Sequence, residues 1–241
     1  MPPIRSRLIC LVPLSVILGC VVAPARADTS VFSQAARFPG TTSFYSWTSS
    51  SDSLFVTSDN FTVTNSSSLT GITWQGLTFN VNNFTTGVEP ATFNIEFRAD
   101  NGGTPGTVLD NEMVTPTKTL AGTLNFFGSQ QQQNIYNYTT TLSGVFTAMA
   151  NTPLWVSVIG NPTSPNYWTW TEGADSDNSS YQEITGGSSV ARPGDRAFTL
   201  MGVPAPGPAV VPEPSSIASM GLGGVGLLGL LLRARKRRTA A

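Results

Sequence analysis

Apolar and polar residues alternate one by one in many short runs between residues 28 and 203. In the clearest run, Thr92–Arg98, the side chains of Phe93, Ile95 and Phe97 share one face and polar side chains share the other. Successive side chains of a β-strand leave it on opposite sides, so this period is typical of a strand with one buried face. No run in this region has the period of an amphipathic helix. The pattern therefore predicts an all-β domain.

Six further segments alternate in the same way, at 61–63, 72–74, 77–81, 136–139, 154–158 and 197–200. Turn residues separate the segments at intervals of about ten positions, a spacing typical of an antiparallel sandwich. Asp100–Gly106 contains Asn-Gly and Gly-Gly pairs, which favour a hairpin because they tolerate positive φ. We expect Gln130–Gln133 in an exposed loop. The predicted fold is a single antiparallel β-sandwich with a jelly-roll-like strand order.

Residues 1–27 have the pattern of a secretory signal peptide. Arg5 and Arg7 precede an apolar stretch, and Ala25-Arg26-Ala27 places small residues where a signal peptidase cuts. Cleavage there would make Asp28 the first residue of the exported protein. We therefore expect the domain outside the cytoplasm.

A second interpretation of this leader is open. Leu18-Gly19-Cys20 resembles the end of a lipobox, in which case Cys20 is lipidated instead. Under the first interpretation, Cys10 and Cys20, the two cysteines of the chain, are removed with the leader. The chain has no histidine, so the exported part then has no disulfide, no thiolate or imidazole metal ligand and no imidazole base.

The C-terminal end begins with a linker and a short proline motif. Residues 204–211 are rich in Pro, Ala and Gly, the composition of a semi-rigid spacer. Val211-Pro212-Glu213-Pro214 follows, and its prolines restrict the backbone to an extended form. Glu213 is the only charge of this motif, which suits a groove that binds extended peptide.

A predominantly apolar segment and a basic tail complete the chain. Residues 217–232 would form a helix of about 24 Å, slightly shorter than a bilayer core of about 30 Å. The cationic residues that follow predict a cytoplasmic C-terminus and act as a stop-transfer signal. They are Arg233, Arg235, Lys236, Arg237 and Arg238. A plain single-pass anchor would explain the apolar segment and the charges, but it would not explain why the Pro-Glu-Pro element stands directly before them.

The order of motif, apolar segment and basic tail closely resembles the PEP-CTERM sorting signal of bacterial surface proteins. In that family the membrane enzyme exosortase recognises the Pro-Glu-Pro element, and the protein is delivered to the envelope or the extracellular polymer matrix. The resemblance implies exosortase and the membrane as partners, with exopolysaccharide as a further candidate. The signal also bears the name of an ice-binding protein C-terminal domain, but the consecutive residues Thr139-Thr140-Thr141 divide between the two faces of a strand and give ice binding little support.

The middle of the chain resembles the β-sandwich ectodomain common among PEP-CTERM proteins. The segments that carry the resemblance are 59–63, 71–76, 97–106 and 195–200. This resemblance implies a fold and no activity. The predicted organisation is a signal peptide at 1–27, an ectodomain at 28–203, a Pro-rich linker at 204–211 and the sorting signal at 212–238 with a transmembrane helix at 217–232.

Charge and residue types restrict the chemistry of the exported part. Residues 28–212 carry five cationic residues and thirteen carboxylates, a net charge of −8, so nucleic acid is a poor partner. The absence of histidine excludes a Ser-His-Asp triad, and no motif pairs two carboxylates for glycoside hydrolysis. We expect no enzymatic activity and no cofactor other than, at most, calcium.

Two segments are candidates for binding. Alternation places Trp168 and Trp170 on one face, where exposed rings would stack on sugars and buried rings would belong to the core. Asp175 and Asp177, with Glu172 nearby, offer the oxygen ligands that Ca²⁺ prefers, although a solvated acidic turn explains them equally. The sequence predicts an exported structural or adhesive protein of the cell surface, extracellular matrix or biofilm. The alternative is a secreted carbohydrate-binding module.

Overall fold

The computed structural model describes residues 28–41, 44–125, 132–174, 177–185 and 189–205. Within these ranges the chain forms thirteen β-strands and no helix, and every pairing between strands is antiparallel. The strands are β1 (Thr29–Gln34), β2 (Ser46–Thr48), β3 (Phe55–Phe61), β4 (Ser67–Asn80), β5 (Phe93–Asp100), β6 (Pro105–Val114), β7 (Thr117–Asn125), β8 (Gln132–Ala148), β9 (Leu154–Gly160), β10 (Asn166–Thr171), β11 (Ser180–Ile184), β12 (Ser189–Arg192) and β13 (Phe198–Pro204). The predicted all-β, antiparallel fold is confirmed.

The predicted signal peptide and the predicted transmembrane helix both lie outside the described residues. Among the residues that the structure describes, no helix is long and apolar enough to cross a membrane.

The strands form two sheets that pack face to face. In sheet A, the central strand β4 pairs along one edge with β13 and then with β10, and along its other edge with β8. Next to these strands, β1 pairs with β13, β2 with β10 and β7 with β8. Sheet B has the order β12, β11, β3, β9, β5, β6. Trp74, Tyr138 and Phe198 of sheet A share one buried cluster with Phe93 and Phe97 of sheet B. The core therefore lies between the sheets, as in a sandwich, and the jelly-roll order stays a prediction.

Strand β4 is the central strand of sheet A, and it joins two segments that the sequence pattern separated. Residues 72–74 and 77–81 were expected as two strands, but all except Val81 belong to one strand. Gly76, between them, is not a turn residue. A Cβ at this position would lie 2.3 Å from Cζ2 of Trp168, so glycine is needed here for the indole to pack against the strand.

The turn after β5 confirms one local prediction, and the start of β8 corrects another. Gly102 and Gly103 have φ of 65° and 83°, which glycine adopts freely, and they connect β5 to β6 as a hairpin. Gln133, expected in an exposed loop, lies in β8 and is fully buried. Its Nε2 donates a hydrogen bond of 2.6 Å to the Phe84 carbonyl, because the segment after β4 packs over the start of β8.

Sheet A also buries part of its outer face, the face turned away from sheet B. Leu77 of β4 lies opposite Ile135 of β8, and Phe38, from the segment after β1, packs on both. The ring of Phe38 reaches β7 so closely that a Cβ on Gly122 would lie 2.9 Å from it. We call the area formed by Phe38, Leu77 and Ile135 the covered half of this face.

The two ends of the described domain meet at one end of sheet A. Thr29, at the start of β1, pairs with Gly202 near the end of β13. Beyond β13, the Ala205 N–H donates a hydrogen bond of 2.7 Å to the Ser66 carbonyl. The C-terminal segment therefore leaves the domain beside its first strand.

Candidate functional site

Trp168 and Trp170 lie on the same face of β10, as the alternation predicted, but that face is the core. Neither residue has any exposed surface. The Trp168 ring packs edge-on against Phe93 with centroids 5.1 Å apart, and Trp170 Nε1 donates a hydrogen bond of 2.9 Å to the Ala197 carbonyl. A ring without exposed surface cannot stack on a sugar. The prediction of a glycan site at these two residues is therefore wrong.

The candidate calcium ligands have protein partners of their own. The Glu172 carboxylate accepts hydrogen bonds of 2.8 Å from Arg37 Nη1 and from the Tyr45 N–H. Asp177 accepts one of 2.6 Å from Asn60 Nδ2. Asp175 lies outside the described residues. In the described ranges no group of three or more acidic, His or Cys residues is arranged to hold a metal ion, and the calcium site stays a prediction.

A buried polar cluster that the sequence did not reveal connects β3 to the segment before β13. The Asp59 carboxylate accepts a hydrogen bond from the Arg196 N–H, and both residues are fully buried. Arg196 Nη2 donates to the carbonyls of Gly194 and Pro193, at 2.7 and 3.1 Å. Burial raises the pKa of Asp59 well above its usual value, although Arg196 acts in the opposite direction. Burial lowers the pKa of Arg196 to about 10.

This cluster fastens the chain and is not open to a substrate. The hydrogen bond from the Arg196 N–H to the Asp59 carboxylate holds β3 to the segment before β13, since its loss would leave buried polar groups without this partner. The neighbouring Asp195 accepts hydrogen bonds of 3.2 and 2.9 Å from the N–H groups of Asn178 and Ser179. Asp195-Arg196 is visible in the sequence, but nothing in the sequence identifies the distant Asp59 as its partner.

A second polar pair, half-buried Glu89 and buried Tyr138, joins the segment before β5 to β8. The Tyr138 hydroxyl donates a hydrogen bond to the Glu89 carboxylate, which also accepts one of 2.8 Å from Thr78 Oγ1. Burial raises the pKa of Glu89, and burial together with the adjacent Glu89 raises that of Tyr138. Tyr138 has no exposed surface, so its hydroxyl cannot reach a substrate in solution. The pair satisfies the Tyr138 hydroxyl and Glu89 Oε2, whereas Glu89 Oε1 has no hydrogen-bond partner among the described residues.

The open part of the outer face of sheet A carries a row of hydroxyl side chains. The strand registers place five residues side by side on five adjacent strands. They are Ser33 of β1, Thr199 of β13, Thr73 of β4, Thr139 of β8 and Thr117 of β7, and we call them the hydroxyl row. Neighbouring strands lie about 4.8 Å apart, so the row extends over about 19 Å.

Two surface depressions flank the hydroxyl row. One of about 380 Å³ is lined by Gly71, Thr117, Thr139 and Met201 among others. The second, of about 200 Å³, lies toward the covered half and includes Thr73, Thr199 and Asn137. Thr139 lines both depressions. Four of the five residues of the row therefore line a depression on an accessible face.

Comparison with known proteins assigns the C-terminal end. Residues 210–238 match the PEP-CTERM protein-sorting motif. The four motif residues Val211, Pro212, Glu213 and Pro214, and the basic residues that follow, fall within this match and lie outside the described part of the structure. No curated protein and no solved structure was found to match the chain. The chain carries a PEP-CTERM sorting signal, the mark of an exported protein that exosortase processes and that its C-terminus holds at the cell envelope.

Proposed function

We propose that the β-sandwich is a structural or adhesive component of the cell surface, displayed through its sorting signal, and that it is not an enzyme. The observation that carries this proposal is the position of β13, the last of the described strands on the side of the sorting signal. This strand lies inside sheet A, hydrogen-bonded to β1 on one side and to β4 on the other.

A strand held on both sides suits a domain that is tethered at its C-terminus. A pull on the tether acts along β13 and loads the hydrogen bonds to β1 and β4 together, because they lie across the direction of the pull. The Ala205 bond to Ser66 extends this attachment beyond the strand. An edge strand would be held by one neighbour only. The arrangement therefore supports a load-bearing role at the surface.

The chemistry of the described side chains supports a role without catalysis. The two carboxylates with raised pKa, buried Asp59 and half-buried Glu89, accept hydrogen bonds from Arg196 and from Tyr138. The chain has no histidine to act as a base near neutral pH. The acidic exported part also favours neutral or cationic partners over nucleic acid.

The test is a substitution in the sorting motif of the protein expressed in its native cells. We expect Glu213→Ala to abolish recognition of the Pro-Glu-Pro element, so that the protein accumulates in the membrane fraction and attachment of the cells to surfaces or to each other decreases. Asp52→Ala is the matched control, because it removes one exposed carboxylate from the ectodomain and leaves the signal intact. Equal fractionation of wild type and Glu213→Ala would contradict exosortase processing. Normal attachment by cells in which the protein is mislocalised would contradict the adhesive role.

A further inference from the structure

The hydroxyl row is a regular array without charge. Its five members are Ser or Thr, and the next residues on the same face toward the covered half are Gln75, Asn137 and Thr119, which are opposite one another. Asp28 is the only charged residue among the described residues that line the two depressions. With the predicted cleavage before Asp28, the new α-amino group would balance its carboxylate. The surface is thus polar and close to neutral.

The hydroxyls are held in position, and the two at the centre of the row are available. Threonine is branched at Cβ, which restricts χ1, and the three central strands of the row are paired on both sides. The Ser33 and Thr199 hydroxyls are hydrogen-bonded to each other at 2.7 Å. In the part of the chain that the structure describes, the hydroxyls of Thr73 and Thr139 have no protein partner. A ligand therefore meets ordered donors and acceptors whose immobilisation costs little entropy.

The side-chain chemistry of the row favours one class of ligand over a protein partner or an anionic polymer. Protein interfaces are anchored by aromatic residues, Met and Arg at their centre, whereas the centre of this face consists of short hydroxyl side chains. An anionic polymer would find no cation in the row and would approach a domain with an excess of carboxylates. A chain of neutral sugars offers hydroxyls along its whole length, which match a line of hydroxyls spaced by about 4.8 Å.

We propose that the hydroxyl row binds an extended, neutral polysaccharide that lies across the strands of sheet A, along the line from Ser33 to Thr117. This inference rests on the proposed adhesive function and names its partner. The site differs from the one expected at Trp168 and Trp170, since it uses hydrogen bonds on the outer face and no aromatic stacking.

The affinity of such a site comes from many weak contacts rather than from a few strong ones. One hydrogen bond to a hydroxyl contributes little net free energy, because it replaces a bond to water. Several bonds in line along one polymer add up, and a polymer also allows a released segment to rebind at once. Affinity therefore increases with the length of the sugar chain, and an oligosaccharide shorter than the row binds weakly.

The experiment uses the full-length protein in mild detergent, incubated with microcrystalline cellulose, chitin and insoluble mannan, with soluble alginate as an anionic competitor. We expect retention on at least one of the neutral polymers and no competition by alginate. The double variant Thr73→Val/Thr139→Val should bind about tenfold more weakly, because it removes the two unpartnered hydroxyls at the centre of the row. Valine has nearly the same shape as threonine and a high β-propensity, so the sheet is retained.

Thr123→Val is the matched control. Thr123 is exposed on the same strand as Thr117 but pairs with Asn134 and faces the other side of sheet A, so its loss should not change retention. The proposal is overturned if none of the neutral polymers retains the protein or if the folded double variant binds like wild type. It is also overturned if the protein shows thermal hysteresis on ice without polymer binding. None of these results affects the Glu213→Ala test. A negative result for polysaccharide binding can therefore be distinguished from a negative result for the proposed function.

Discussion

Thr73 and Leu77 lie on the same outer face of strand β4, about 13 Å apart along the strand, yet their surroundings are opposite in character. Leu77 is fully buried under Phe38 and lies beside Ile135. Thr73 is flanked by Thr199 and Thr139, and no segment of the described chain covers the row that they form. One continuous sheet face is thus half interior and half surface.

The difference teaches that side-chain chemistry, and not backbone geometry, decides which part of a sheet the chain covers. Both halves have the same antiparallel pairing between β4 and β8. Covering Leu77 and Ile135 removes apolar surface from water. This gain offsets the conformational entropy lost when the segment that contains Phe38 is ordered. Covering the hydroxyl row would yield no such gain, because its side chains are already satisfied by water. The face remains open for a ligand that offers hydrogen bonds.

The largest expected effect is the loss of stability when a side chain of the covered half is shortened, compared with the same change in the open half. Leu77→Ala should lower the free energy of unfolding by about 3 kcal/mol, because it leaves a cavity under Phe38. Thr73→Ala, four residues away on the same strand and face, should lower it by less than about 1 kcal/mol, mainly through weaker β-propensity. Urea denaturation of the full-length protein in mild detergent, followed by tryptophan fluorescence, measures both. Equal losses would mean that the two halves are not different in burial.

Local patterns predicted much of the fold, because they depend on neighbours in sequence. The alternation of Phe93, Ile95 and Phe97 identified β5, and the Gly102-Gly103 pair identified the hairpin after it. The same alternation placed Trp168 and Trp170 on one face correctly. It could not tell which face looks inward, because that depends on the sheet that packs against β10. The sequence therefore left the core and the sugar site as two interpretations, and the structure supports the core.

The hydroxyl row was beyond the reach of sequence analysis because it runs across strands. A search for Thr-x-Thr repeats finds hydroxyls that line up along one strand, whereas Ser33 and Thr199 are 166 positions apart and meet only through the register of β1 and β13. Gly76 illustrates the same limit, since its role comes from the distant Trp168 ring. Register and long-range packing arise from the whole fold, and no local pattern encodes them.

A smaller effect is expected where β7 approaches the covered half. In Gly122→Ala the new methyl group would meet the Phe38 ring at 2.9 Å, so the ring must shift, and we expect a loss of about 2 kcal/mol in unfolding free energy. The same substitution in a Phe38→Ala background should cost less, because the clash is gone and only the strain of alanine at a φ of 156° remains. Denaturation of the four proteins of this double-mutant cycle gives the coupling. Additive losses would show that Phe38 does not pack on β7.

The smallest effect is expected in the open half itself. Thr139→Val should change the free energy of unfolding by less than about 0.5 kcal/mol, because its hydroxyl is exposed and has no protein partner in the described part of the chain. Thr171→Val on the same sheet is the control. Thr171 Oγ1 is buried and donates a hydrogen bond of 3.0 Å to the Gln75 carbonyl, so its loss should cost about 1 to 3 kcal/mol. The same denaturation measurement compares them. If the two substitutions cost the same, the Thr139 hydroxyl contributes to stability, and the hydroxyl row is held by the fold rather than left free for a ligand.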